Sequence, residues 1–224
     1  MRIIPAILTN NIEDFNKQID NICEFTDEVD IDILDGVFSA EKTIPIKDID
    51  TKHAITFNFD LMVKEPGKYF EDIIALKKKG LSIGRVFVHI ESEYDVQVLF
   101  EKSKDNFILG FSSLMQTATE SIIDLQKKFK KLSEKPFPVL LKTVQIGKQG
   151  NPYHPEVLGK VSKLRRAGFD GEIYLDGGID PDIIMTFRNY DIAGVSVGSY
   201  ISHSSDPFRA FSNLRDATWK QKLD

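Results

Sequence analysis

In the stretch Val29-Asp30-Ile31-Asp32-Ile33-Leu34-Asp35-Gly36, the two-residue period of a strand puts Asp30 and Asp32 on one face and Ile31 and Ile33 on the other. A third acid, Asp60, stands in Phe57-Asn58-Phe59-Asp60-Leu61-Met62-Val63 on the same face as Met62, and a fourth, Asp176, ends Tyr174-Leu175-Asp176-Gly177-Gly178. Carboxylates brought together in this way can remove and return protons as general base and general acid. Gathered in one place they also repel one another and lose hydration, so the arrangement calls for a cation: Mg2+, Mn2+, Zn2+ or an ammonium group. The chain offers an ammonium in Lys142, in the apolar run Val139-Leu140-Leu141-Lys142-Thr143-Val144, where a lysine is costly to bury without a partner. Asp32, Asp176 and Lys142 are therefore the catalytic candidates. Asp30, Asp32, Asp60 and Asp176 are the candidate metal ligands.

Glycines point to an anion. Gly177 and Gly178 follow Asp176 directly, Gly147-Lys148-Gln149-Gly150 follows the Lys142 run, and Gly198-Ser199 follows Gly194-Val195-Ser196-Val197. Glycine lets backbone N–H groups approach an anion closely, and three such loops side by side suit a phosphate. Gly147, Gly150, Gly177, Gly178, Gly198 and Ser199 are its candidate ligands, with His89 and Met62 as candidates to touch the rest of a small phosphorylated molecule. His53, His154 and His203 share no spacing with one another, and no zinc-protease, nucleotide-binding or serine-nucleophile motif occurs.

These residues fall at the ends of short apolar, β-branched runs that alternate with amphipathic segments along the whole chain. Strands are predicted at residues 3–8, 28–34, 54–63, 84–90, 107–112, 138–144, 172–175 and 194–197. Between them, Ile12, Phe15, Ile19, Ile22 and Cys23 recur at helical spacing behind a cap at Asn10 or Asn11. Pro66, Pro155, Pro181 and Pro207 suit first helical turns, and Gly80 and Gly168 suit helix ends. The second unit is weak, because residues 47–53 offer barely two turns. The pattern predicts one domain over residues 1–224, a (β/α)8 TIM barrel with its chemistry at the C-terminal ends of the strands.

A chain of 224 residues, 42% hydrophobic and 28% charged, can bury such a core, and no run approaches the roughly 20 apolar residues of a membrane span. Net charge is −5 and the basic residues are scattered, which argues against a nucleic-acid surface. The N-terminal residues lack the basic and apolar regions of a secretion signal, and the single cysteine, Cys23, excludes an internal disulfide and reads as a buried, inert thiol. The expectation is a cytoplasmic protein without membrane partners, and a homo-oligomer is compatible with it.

The motifs Ile4-Pro5-Ala6-Ile7-Leu8, Asp32-Ile33-Leu34-Asp35-Gly36, Leu61-Met62-Val63, His89-Ile90-Glu91, Asp176-Gly177-Gly178-Ile179 and Gly198-Ser199 occur in the order and spacing of ribulose-phosphate 3-epimerase, which the chain resembles along nearly its whole length. The resemblance implies a barrel of the ribulose-phosphate-binding type that inverts C3 of D-ribulose 5-phosphate through an enediolate held by a divalent metal. It implies that Asp32 and Asp176 each ligate the metal and exchange the proton, and that the glycine loops and Ser199 bind the phosphate. The chain departs from the family at several of these positions. The two metal-binding histidines of the family align with Asp30 and Asp60, a serine with Ala6 and a methionine with Lys142. An all-oxygen ligand set favours Mg2+ or Mn2+ over Zn2+. Alternatively Lys142 stands in for the metal.

Sugar-phosphate epimerisation is the leading expectation. A Schiff-base aldolase using Lys142 and a non-catalytic phosphosugar-binding relative are the alternatives. Neighbouring carboxylates that raise the lysine's affinity for its proton count against the aldolase, and the retained pair Asp32 and Asp176 counts against the binder.

Overall fold

In a computed structural model describing residues 1–50, 53–146 and 150–220, the apolar runs form eight strands: β1 (Arg2–Ile7), β2 (Glu28–Leu34), β3 (Thr56–Met62), β4 (Ser82–His89), β5 (Ile108–Ser113), β6 (Val139–Lys142), β7 (Ile173–Asp176) and β8 (Gly194–Val197). They pair in parallel in chain order, and β8 closes on β1 to make a barrel. The helices are α1 (Ile12–Ile22), α2 (Phe70–Lys78), α3 (Val96–Ser103), α4 (Thr119–Phe129), α5 (Val157–Arg166), α6 (Pro181–Met185), α7 (Ser199–Ser202) and α8 (Pro207–Lys220). Among the described residues the weak second unit forms a 3-10 turn, Ile46–Asp48, and no longer helix. No helix among the described residues is long and apolar enough to cross a membrane.

Local chemistry explains most of the boundaries. Asn11 caps α1, its side chain accepting from the N–H groups of Glu13 and Asp14 at 2.8 and 3.0 Å, which contributes about 1 kcal/mol. Pro181 and Pro207 open α6 and α8 as expected, and Gly80 and Gly168 stop their helices at positive φ. Two prolines act earlier than expected: Pro66 starts a 3-10 turn ahead of α2, and Pro155 lies two residues before α5. β6 is shorter than the apolar run suggests, four residues instead of seven, because Thr143 already turns to hold the end of β7. Cys23 corrects another expectation: it is half-buried at the C-cap of α1, with Sγ 3.3 Å from His53 Nδ1.

The two faces of the strands build two separate apolar clusters. Residues such as Ile31, Phe57, Leu61, Val88, Leu141 and Leu175 pack outward under the helices, while Ile4, Phe87, Leu140 and Tyr174 fill the barrel itself. Gly110 and Gly194 leave room for the two interior rings, since a Cβ on either would meet Phe87 or Tyr174 within 3.0 Å. Polar side chains cap this plug at both ends. Toward the N-terminal ends of the strands lie Arg2, Glu28, Arg85 and Glu172, and at the C-terminal ends lie the acids that the sequence singled out.

Candidate active site

Register sets the acids side by side: Asp32 pairs with Asp60 across β2 and β3, and Lys142 pairs with Asp176 across β6 and β7. The carboxylates of Asp32, Asp60 and Asp176 come within 4.8 Å of one another, a spacing able to hold a metal ion. The Lys142 ammonium enters the same space. Its Nζ lies 2.5 Å from Asp60 Oδ2, forms a direct ion pair with Asp176 Oδ2, and stands 3.9 Å from Asp32 Oδ1.

Each group responds to this crowding. Burial alone would strip the proton from Lys142, but Asp176, Asp60 and Asp32 override it and hold its pKa well above the ordinary lysine value. Burial drives the Asp32 carboxyl well above the usual carboxylate range; Lys142 offsets part of this, and Asp176, Asp60 and Asp30 add to it. Asp60 moves the other way. Burial pushes it up, yet Lys142 and His89 overcome that and keep it ionised far below the usual range. One carboxyl is thus built to keep a proton and another to give it up, in contact with the same ammonium.

A second row of contacts explains how Asp60 is held. His89 is fully buried, its Nε2 3.5 Å from Asp60 Oδ1 and its Nδ1 3.3 Å from Glu91 Oε2. Burial opposes protonation of this ring, and the two carboxylates outweigh it and raise its pKa. Glu91 in turn accepts from the Leu114 N–H at 3.1 Å and from the Thr117 hydroxyl. His89 therefore props an acid and is absent from the described lining of the cleft, although the sequence placed it among the candidate ligand contacts. Glu91, which holds His89, is not among the sequence candidates, although its spacing of two residues from His89 is the available signal.

Asp30 does not join the cluster. It points into the layer below, where it accepts from Asn58 Nδ2 at 2.8 Å, and burial lifts its pKa to about 6 against the opposing effects of Ser196, Arg85 and Asn58. An aspartate is too short to bring its oxygens from that layer to the others. The expected four-acid cluster is thus three acids with a fourth beneath.

Above the cluster opens a cleft walled by Ala6, Leu8, Met62, Val144, Ile146 and Ile179 and carrying Asp32, Lys142, Gln145 and Asp176. Gly177, Gly178, Gly198 and Ser199 line its other side. Gly177 and Gly178 have φ of +116° and +61°, and a Cβ on Gly178 would meet the Tyr153 nitrogen at 2.7 Å, so this turn requires glycine. Thr143 braces it, donating from Oγ1 to the Asp176 carbonyl at 2.9 Å. Gly150 is an exposed turn glycine at φ +84° and is absent from the described lining of the cleft. Gly147 and Lys148 lie outside the described residues.

The comparisons with known proteins agree with this geometry. A model of the Ribulose-phosphate 3 epimerase family matches residues 2–202. The chain belongs to that family. A ribulose-phosphate 3-epimerase of Schizosaccharomyces pombe is 24% identical over 98% of this chain and 94% of its own length. The cytoplasmic isoform of Oryza sativa is 30% identical over 96% of this chain and 92% of its own. Among solved structures, 3-keto-L-gulonate-6-phosphate decarboxylase of Vibrio cholerae superposes with a TM-score of 0.70 at 14% identity, covering 98% of this chain and 97% of its own, a likeness of fold alone.

The family's divalent metal can be tested against these residues. Three carboxylates supply oxygen ligands of suitable spacing, but two of them are already ion-paired to Lys142. A dication roughly 4 Å from an ammonium is repelled by about 8 kcal/mol at an effective dielectric near 20, and both would compete for the same carboxylate lone pairs. The spacing is that of a metal site; with Lys142 in place the donor set does not fit one. The same geometry counts against the aldolase alternative, because a Schiff base needs a neutral amine and the neighbouring acids favour the ammonium.

Proposed function

We propose that this family member interconverts the C3 epimers of a ketopentose 5-phosphate, with D-ribulose 5-phosphate as substrate and Asp32 and Asp176 as the proton-transferring pair. The observation that carries the reading is that these two acids line one cleft from strands β2 and β7, three steps apart around the closed barrel. Acids approaching from different strands suit a reaction that removes a proton from one face of a carbon and returns it to the other.

The C3 hydrogen is acidified by the neighbouring C2 ketone. One carboxylate accepts it, the C–H electron pair moves into a C2–C3 double bond, and the enediolate that forms is reprotonated on its opposite face by the other carboxyl in its acid form. The raised pKa of Asp32 supports its part as the acid in one direction, with Asp176 as the base; in the reverse direction the roles exchange. The backbone N–H groups of Gly177, Gly178, Gly198 and Ser199, on the loops after β7 and β8, support a phosphate seat, the place where barrels of this architecture commonly bind one. Met62 supports an apolar contact to the sugar. A cytoplasmic location is in keeping with the Oryza sativa relative, named as a cytoplasmic isoform.

Proton NMR of the purified protein with D-ribulose 5-phosphate in D2O tests the reading. The expected result is loss of the C3 proton signal together with appearance of xylulose 5-phosphate. A C3 proton that persists while the phosphorus resonance reports binding contradicts it.

A further inference from the structure

We infer that the ammonium of Lys142 is the electrophile of this active site, taking the charge-stabilising part that a divalent cation plays in the family, so that the chain enolises its phosphosugar without a metal. The inference rests on the epimerase reading for its substrate, though the exclusion of a metal is a separate property of the site.

Geometry carries it. A lysine ammonium has three N–H donors. Asp176 accepts one, Asp60 lies against the ammonium at 2.5 Å as an ion-pair partner, and Asp32 at 3.9 Å is beyond hydrogen-bond reach. At least one donor is left for a ligand, and Lys142 lines the cleft although only 2% of its side chain is exposed. The position is set by the backbone, because the register of β6 with β7 places Lys142 beside Asp176. It is also braced from the far side: Thr117 and the Leu114 N–H fix Glu91, Glu91 fixes His89, and His89 fixes Asp60. Neither Asp60 oxygen has a neutral hydrogen-bond donor among the described residues, so its close contacts are the Lys142 ammonium and the His89 ring.

The chemical step balances without a further reactant. As a carboxylate removes the C3 proton, the electron pair forms the C2–C3 double bond and negative charge gathers on the C2 oxygen. The Lys142 N–H hydrogen bonds to that oxygen and keeps its proton throughout. When the second acid protonates C3 on the other face, the pair returns and the ketone is restored. A fixed donor aimed at developing oxyanion charge in a nearly dry site typically changes rate by about 10²- to 10³-fold.

Mn2+ titrated into the wild-type protein and followed by electron paramagnetic resonance, alongside C3 hydrogen exchange of D-ribulose 5-phosphate with and without EDTA, tests this. The inference expects no stoichiometric Mn2+ binding by the wild type and exchange that EDTA leaves unchanged. Lys142→Met, which frees the carboxylates, is expected to bind about one Mn2+ and to lose exchange by about 10²-fold or more. Stoichiometric Mn2+ binding by the wild type, or exchange abolished by EDTA and restored by metal, overturns it. The wild-type arms decide the matter even if Lys142→Met does not fold. Absence of exchange in a wild type that also binds no Mn2+ sinks the substrate reading and leaves the exclusion of the metal standing.

Discussion

At the N-terminal end of the barrel interior Arg85 faces Glu28 and Arg2 faces Glu172, whereas at the C-terminal end three aspartates share a single lysine. Arg85 and Glu28 are largely buried and Arg2 and Glu172 are exposed, but each arginine is matched by one glutamate. Asn58 bridges Glu28 and Asp30, Tyr174 donates to Glu172 at 2.7 Å, and the guanidinium of Arg85 lies 4.6 Å from the centre of the Tyr174 ring. Each arginine there has a glutamate partner, and Asp30 is held by a neutral amide. At the upper end acids outnumber bases, one carboxyl is pushed toward its neutral form and another away from it, and the group opens on a cleft. Matched charge holds a barrel together. Mismatched charge, held in place by packing, is what proton transfer needs.

Substitutions should separate the two ends. The largest expected effect is at the top: Asp176→Asn lowers kcat for epimerisation by about 10³-fold or more, measured by coupled assay, because it removes a proton-transferring group. Arg85→Met should do the reverse. It leaves Glu28 without its partner in a largely buried position and destabilises the fold by about 3 kcal/mol in urea denaturation, with kcat of the folded fraction unchanged. A large fall in kcat for Arg85→Met would break the distinction between the ends.

Asp30, between the two layers, gives a smaller effect and a pH signature. Its pKa of about 6 lies above the ordinary aspartate value of 3.8, so the folded state binds more protons than the unfolded state in that window. Its contribution to stability is therefore fully present below about pH 4 and is lost as pH rises through 6. Two pKa units correspond to about 3 kcal/mol. Asp30→Asn, which mimics the protonated form, is expected to gain up to that amount relative to wild type between pH 4 and pH 7, read from urea midpoints at both values. A difference independent of pH would place the titration elsewhere.

The order of the strands was legible because each is a short β-branched run bounded by turn residues, and the acids were legible because a period of two assigns a face. Height along the barrel axis was not. Strands in a barrel are tilted and staggered, so facing inward does not say which layer a residue reaches, and Asp30 and Asp60 look alike in sequence while one lies below the cluster and the other within it. His89 was misplaced for a related reason, since its partners Asp60 and Glu91 come from a neighbouring strand and from just past its own, and only register brings them to it. Lys142 stood out because a lysine in an apolar strand needs a stated partner, and the structure supplies it with acids from three strands.

The account depends most on Asp32 and Asp176 serving opposite faces of one carbon, and hydrogen exchange in D2O with Asp32→Asn and Asp176→Asn tests this directly. Each variant keeps one base, so each is expected to exchange the C3 proton of one epimer only, ribulose 5-phosphate for one variant and xylulose 5-phosphate for the other, without interconverting them. Exchange of the same epimer by both variants, or epimerisation surviving in either, would contradict it.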